Sequence, residues 1–134
     1  MIMNRVLLLV LMSLFAMASM AQTKDHVEVM YFHGKQRCAT CKAIEAQARD
    51  VVDNAFAAEK KNGKVVFKIV DISTAEGAKI AKDYRVSWSS LFVNAWRGGK
   101  ETRNDLTQFA FKNARNNIDE FKKGVSGKIN ELLK

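Results

Sequence analysis

The spacing of apolar residues switches along the chain between the short period of strands and the three-and-four spacing of helices. Val27 to Phe32 (VEVMYF) joins β-branched, aromatic and apolar residues in a run closed by His33-Gly34, the pattern of a buried strand. From Cys41, the positions Cys41, Ile44, Ala48, Val51, Val52, Ala55 and Phe56 recur three and four apart, which predicts a helix with one stripe facing a core, stopped by Asn62-Gly63. Lys64 to Asp71 (KVVFKIVD) predicts a second strand. Ser73-Thr74-Ala75-Glu76 has capping-box spacing and should open a helix that ends near Tyr84. Leu91 to Trp96 (LFVNAW) predicts a third strand with Trp96 in the core. Arg97-Gly98-Gly99-Lys100 then forms a turn into a short polar strand, Glu101 to Asn104, suited to a sheet edge.

Leu106, Phe109, Ala110 and Ala114 mark a short helix. Ile118, Phe121, Val125, Ile129 and Leu132 mark a closing amphipathic helix, with Gly124 and Gly127 as weak points. The order strand, helix, strand, helix, hairpin, helix predicts an α/β fold: a central mixed sheet of about four strands with helices on both faces.

Ahead of these elements, residues 1–21 (MIMNRVLLLVLMSLFAMASMA) carry one cation, Arg5, then an apolar stretch from Val6 to Ala18 interrupted by Ser13, and small residues before a cut site. That is the three-part secretory signal. The stretch is shorter than the roughly 18 residues a membrane span requires, and Ser19-Met20-Ala21 fits the small-x-small rule for cleavage after Ala21. The expected organisation is therefore a signal peptide, 1–21, and one domain, 22–134, exported to the periplasm or an equivalent compartment.

The chain has 134 residues, enough for one packed domain and too few for two. Lys and Arg number 22 against 14 Asp and Glu, a formal charge of +8 that loses one unit with Arg5. The lysines are scattered over helical stretches and read as a solvated face rather than a nucleic-acid footprint. No proline is present, where average usage gives about seven. A phosphate loop, a His-Glu-x-x-His motif and a nucleophile elbow are all missing from the sequence.

The chemistry concentrates at Arg37-Cys38-Ala39-Thr40-Cys41-Lys42, where the loop after the first strand becomes the first helix, and both cysteines of the chain are here. A thiol reacts as thiolate, and a helix N-terminus favours an anion. Arg37 and Lys42 add cations. Two intervening residues keep Cys41 within one turn of Cys38, so a mixed disulfide at Cys38, the expected nucleophile, can be resolved by Cys41. As a structural staple, a four-residue ring would contribute only about 2 kcal/mol. A zinc site lacks ligands, because His26 and His33 lie upstream of the pair, not at the downstream spacing of a finger.

With this motif at a strand-to-helix turn, residues 22–134 resemble the thioredoxin-like superfamily along nearly their whole length. Within it, YFHGKQRCATCKAIE (Tyr31 to Glu45) is similar to the small exported thioredoxin-like chains labelled nitrophenyl compound nitroreductase subunits, found beside arsenic-handling genes in gut bacteria. The resemblance implies a dithiol-disulfide exchange domain with Cys38 and Cys41 at the attacking and resolving positions.

The chain also departs from that pattern. The superfamily usually places a cis-proline before the third strand, facing the cysteines, and Ser90 occupies that position here; a cis bond before serine would cost about 2.5–4 kcal/mol. The family's buried carboxylate under the cysteines is replaced by Met30-Tyr31-Phe32, which leaves His33 as a substitute proton relay or a merely packed residue. Arg37 stands where thioredoxins carry a Trp. Trp88, in the Ser87-Trp88-Ser89-Ser90 loop, either rims the site for a partner or packs into the core, as large aromatics mostly do.

The leading expectation is an exported thiol-disulfide oxidoreductase, reductive in direction, acting on a protein or small-molecule thiol or disulfide and recharged by a membrane thiol-reductant carrier. It would work as a monomer, without nucleic acid and with no cofactor beyond the Cys38–Cys41 disulfide. The alternative is a binding module that uses the thiolates for a soft metal, an arsenical or an iron-sulfur cluster between two copies. A third reading is an inert interaction domain.

Overall fold

The computed structural model describes residues 24–134; the signal-peptide segment and its cleavage site lie outside the described residues. Four strands, β1 (His26–His33), β2 (Val65–Asp71), β3 (Ser90–Arg97) and β4 (Lys100–Thr102), form one sheet in the order β2-β1-β3-β4. β1 runs parallel to β2 from Val27↔Val65 to His33↔Asp71, and antiparallel to β3 from His26↔Trp96 to Phe32↔Ser90. This register brings the end of β1, the end of β2 and the start of β3 to one end of the sheet. There α1 (Ala39–Asp50) begins.

The interior strands β1 and β3 read as nearly continuous apolar runs because helices cover both their faces. On one face Val27, Val29, Tyr31, Leu91 and Val93 pack against Ile44, Ala48 and Val52, and against Phe121, Val125 and Ile129 of α5 (Ile118–Leu133). On the other, Met30, Phe32, Val70 and Phe92 pack beneath α3 (Ala75–Tyr84). Tyr84 anchors this layer by contacting Phe32 and Phe92 edge-on or tilted, and its hydroxyl donates to Glu101 at 2.7 Å. Burial first, then the Glu101 carboxylate, pushes the Tyr84 phenol well above its ordinary pKa. Arg103 stacks over the Tyr84 ring and bonds both Glu101 and Asp83, tying α3 to the β3–β4 hairpin.

Four details differ from the sequence reading, each for a local reason. The helix expected from Cys41 to Phe56 is interrupted by a π-turn, Val51–Ala55, before the short α2 (Ala57–Lys61), with Phe56 N–H bonded to the Val51 carbonyl at 3.3 Å. The extra residue in that turn swings Phe56 into the core and leaves Ala55 exposed. The cap of α3 is Thr74 rather than Ser73: Thr74 Oγ1 accepts from Gly77 N–H at 3.0 Å, while Ser73 is engaged by the Asp71 carboxylate.

Gly124 is a packing requirement, since a Cβ there would lie 2.2 Å from the Phe109 ring of α4 (Thr107–Asn113). Trp96 is only partly buried, stacked against His26, with an indole N–H that has no partner among the described residues. The hairpin matches expectation. Gly98 and Gly99 adopt φ of 57° and 77°, as a two-residue turn with both centres left-handed requires.

Candidate active site

Cys38 is the N-cap of α1, with extended backbone (φ −70°, ψ 166°), and its Sγ accepts from the Cys41 N–H at 3.0 Å. The two cysteines form a disulfide with Cα atoms 5.0 Å apart. Their exposure differs: Cys38 faces solvent, whereas Cys41 is 6% exposed on the buried stripe of α1. Cys38 is therefore the more open of the two to solvent, as the helical spacing of the pair dictates.

Beneath the pair, Tyr31 on β1 donates its hydroxyl to the Cys41 carbonyl at 2.8 Å. Burial pushes its phenol up, against a lowering hydrogen bond with Ser89 and a lowering charge on Arg37, so the ring acts there as a neutral donor. A cavity of about 560 Å³ opens over the disulfide and is lined by Arg37, Cys38, Cys41, Trp88, Ser89 and Phe111 among others. Trp88 is 62% exposed and stacks on Phe111 with ring centroids 5.3 Å apart. The exposed indole and the half-buried Phe111 ring together place an apolar surface beside the disulfide.

Of the residues singled out in the sequence, Arg37, Cys38, Cys41 and Trp88 line this one cavity. Lys42 is exposed on α1 and does not line it. His33, 7% exposed, lies behind the wall and bonds Arg37 at 2.9 Å. Ser90, 4% exposed, is the first residue of β3, and its hydroxyl donates to the Trp88 carbonyl at 3.1 Å, bracing the loop that carries the indole. Every peptide bond among the described residues is trans, including the one before Ser90.

Tyr31, Ser89, Glu45 and Phe111 were not singled out from the sequence. Tyr31 carried no signal beyond the apolar run it shares with core residues, and Phe111 lies off the Leu106, Phe109, Ala110 and Ala114 stripe that marks its helix. Among the described residues, no three His, Cys, Asp or Glu side chains converge as a metal site, and no helix is long and apolar enough to cross a membrane.

The solution structure of a thioredoxin from Thermus thermophilus matches over 77% of this chain and 73% of its own, with a TM-score of 0.50 and 18% identity. The fold is thioredoxin-like. A second solved structure, described as that of a malarial protein, matches at a TM-score of 0.43 and 19% identity over 73% of this chain and 96% of its own, too distant to bear on the fold. No protein-family profile and no curated protein matches the chain. In this thioredoxin-like frame, the disulfide lies where a parallel strand feeds a helix, at the carboxyl end of β1.

Proposed function

We propose that the protein is an exported thiol-disulfide oxidoreductase that works in the reductive direction. The observation that carries this reading is the asymmetry of the pair: an exposed Cys38 at a helix N-terminus, bonded to a buried Cys41, under an open cavity. In the reduced protein the Cys38 thiolate attacks one sulfur of a substrate disulfide. That bond breaks, a mixed disulfide forms at Cys38, and the departing thiolate takes up a proton. Cys41 then gives up its proton and attacks the Cys38 sulfur, releasing the second substrate thiolate and closing Cys38–Cys41, so that two electrons have passed to the substrate.

The secretory pattern of residues 1–21 supports export, and in an oxidising compartment a reductant needs a membrane thiol-reductant carrier to restore its dithiol. The similarity of Tyr31–Glu45 to exported nitrophenyl compound nitroreductase subunits favours the reductive direction. The aromatic pair Trp88–Phe111 fits a protein or small-molecule acceptor with an apolar group beside its disulfide.

The test is reduction of a disulfide-bonded protein by dithiothreitol, followed by turbidity. The wild type is expected to accelerate it, Cys38→Ser to abolish the effect, and Cys41→Ser to accumulate a mixed disulfide at Cys38. Equal rates for wild type and Cys38→Ser would overturn the proposal.

A further inference from the structure

Behind the cavity wall, three polar side chains form a chain that the exchange mechanism does not itself require. Arg37 donates from Nη1 to Glu45 Oε1 at 2.8 Å and from Nη2 to His33 Nε2 at 2.9 Å, and His33 Nδ1 lies 2.9 Å from the Gly34 carbonyl. The chemistry of the partners fixes the tautomer. A guanidinium can only donate, so Nε2 is unprotonated; a carbonyl can only accept, so Nδ1 carries the hydrogen. The ring is buried and stacked on Tyr31 with centroids 5.9 Å apart, which fixes its plane. The facing carboxylate, Asp71, is engaged by the Ser73 N–H and hydroxyl and does not bond the imidazole.

Arg37 is thus held from two elements, the end of β1 and the second turn of α1. It lines the cavity with Cys38, which it precedes in the chain, whereas neither Glu45 nor His33 lines it. We infer that His33 is a positioning residue: by accepting from Arg37 it keeps the guanidinium at the wall beside Cys38 and so sets how strongly Cys38 favours the thiolate. This rests on the thiol-disulfide reading above. An arginine side chain loses much rotamer freedom when fixed, so with the His33 bond removed and Glu45 as its one remaining hold it has more positions open to it and spends less time against the cavity.

The experiment titrates the ultraviolet absorbance of the Cys38 thiolate against pH in full-chain Cys41→Ser protein, where Cys38 is the one remaining thiol. Arg37→Gln is expected to raise the Cys38 pKa by about one unit or more. His33→Leu is expected to raise it in the same direction, His33→Gln to restore it because the amide oxygen can accept from Arg37, and His33→Leu to add nothing on top of Arg37→Gln. If His33→Leu does not fold, His33→Asn, polar but too short to reach Arg37, is expected to raise the pKa in its place.

An unmoved pKa in a folded His33→Leu or His33→Asn protein would overturn the inference. So would an equal rise from His33→Leu when Arg37 is already removed. Wild-type turnover with a protein disulfide, measured in parallel, separates the two claims. No turnover contradicts the functional reading, whereas an active wild type with an unmoved Cys38 pKa contradicts the role of His33 alone.

Discussion

Reduction of Cys38–Cys41 should change the stability of the fold by no more than about 2 kcal/mol in either direction. The ring closed by the bond spans only residues 38–41, and loop-closure entropy for so short a ring favours the oxidised protein by about 2 kcal/mol. Against this, Cys38 is the α1 N-cap and its sulfur accepts from the Cys41 N–H, a position that would stabilise a thiolate formed there on reduction by about 0.3–2 kcal/mol. The second contribution offsets part or all of the first, leaving the oxidised protein ahead by about 0–2 kcal/mol. The assay is urea unfolding at neutral pH with and without dithiothreitol, with the slope of the transition compared to ensure that the same surface is exposed.

An oxidised protein more stable by over about 4 kcal/mol at neutral pH would refute the reasoning and mark the bond as a structural cross-link.

Other outcomes follow from the packing. Gly77→Ala would place a Cβ 1.8 Å from the Asp71 carbonyl oxygen and 2.9 Å from the Thr74 hydroxyl that caps α3; it should destabilise the fold by about 2–4 kcal/mol in chemical denaturation. Arg85, exposed and left-handed at φ 58° after α3, should gain about 0.5–1 kcal/mol on replacement by Gly, read as a higher denaturation midpoint. Hydrogen bonds from the Ser73 hydroxyl and then the Ser73 N–H hold the Asp71 carboxyl below its usual range, so its stabilisation is present above the unfolded pKa and lost as pH falls through the folded one. Asp71→Asn should accordingly flatten the acid limb of the stability profile; an unchanged limb would contradict this.

Much of this architecture is legible in the residues because burial imposes the period. The nearly continuous apolar runs of β1 and β3 mark strands covered on both faces, and Ile44, Ala48 and Val52 recur as a helix stripe must. The cysteine pair stands out because no other thiols dilute it. What stayed hidden depends on contacts between distant elements. The π-turn at Val51 preserves the apolar content of the stripe while changing the phase of Phe56, so spacing alone reads through it.

The two holds on Arg37 are equally hidden. Glu45 lies eight residues along and reaches Arg37 only because α1 folds back beside the β1 loop. Trp88 and Phe111 come from a loop and from α4, and only the fold stacks them. Ser73 and Thr74 both suit a cap, and the choice between them was made by the Asp71 carboxylate.

The central claim is that Cys38–Cys41 is a redox-active pair, and a redox titration of the purified protein in glutathione and dithiothreitol buffers, with thiols counted by alkylation, tests it most directly. The account expects a reversible two-electron transition between about −120 and −270 mV that disappears in Cys38→Ser. A pair that stays oxidised below about −300 mV would contradict it and leave the disulfide a structural bond.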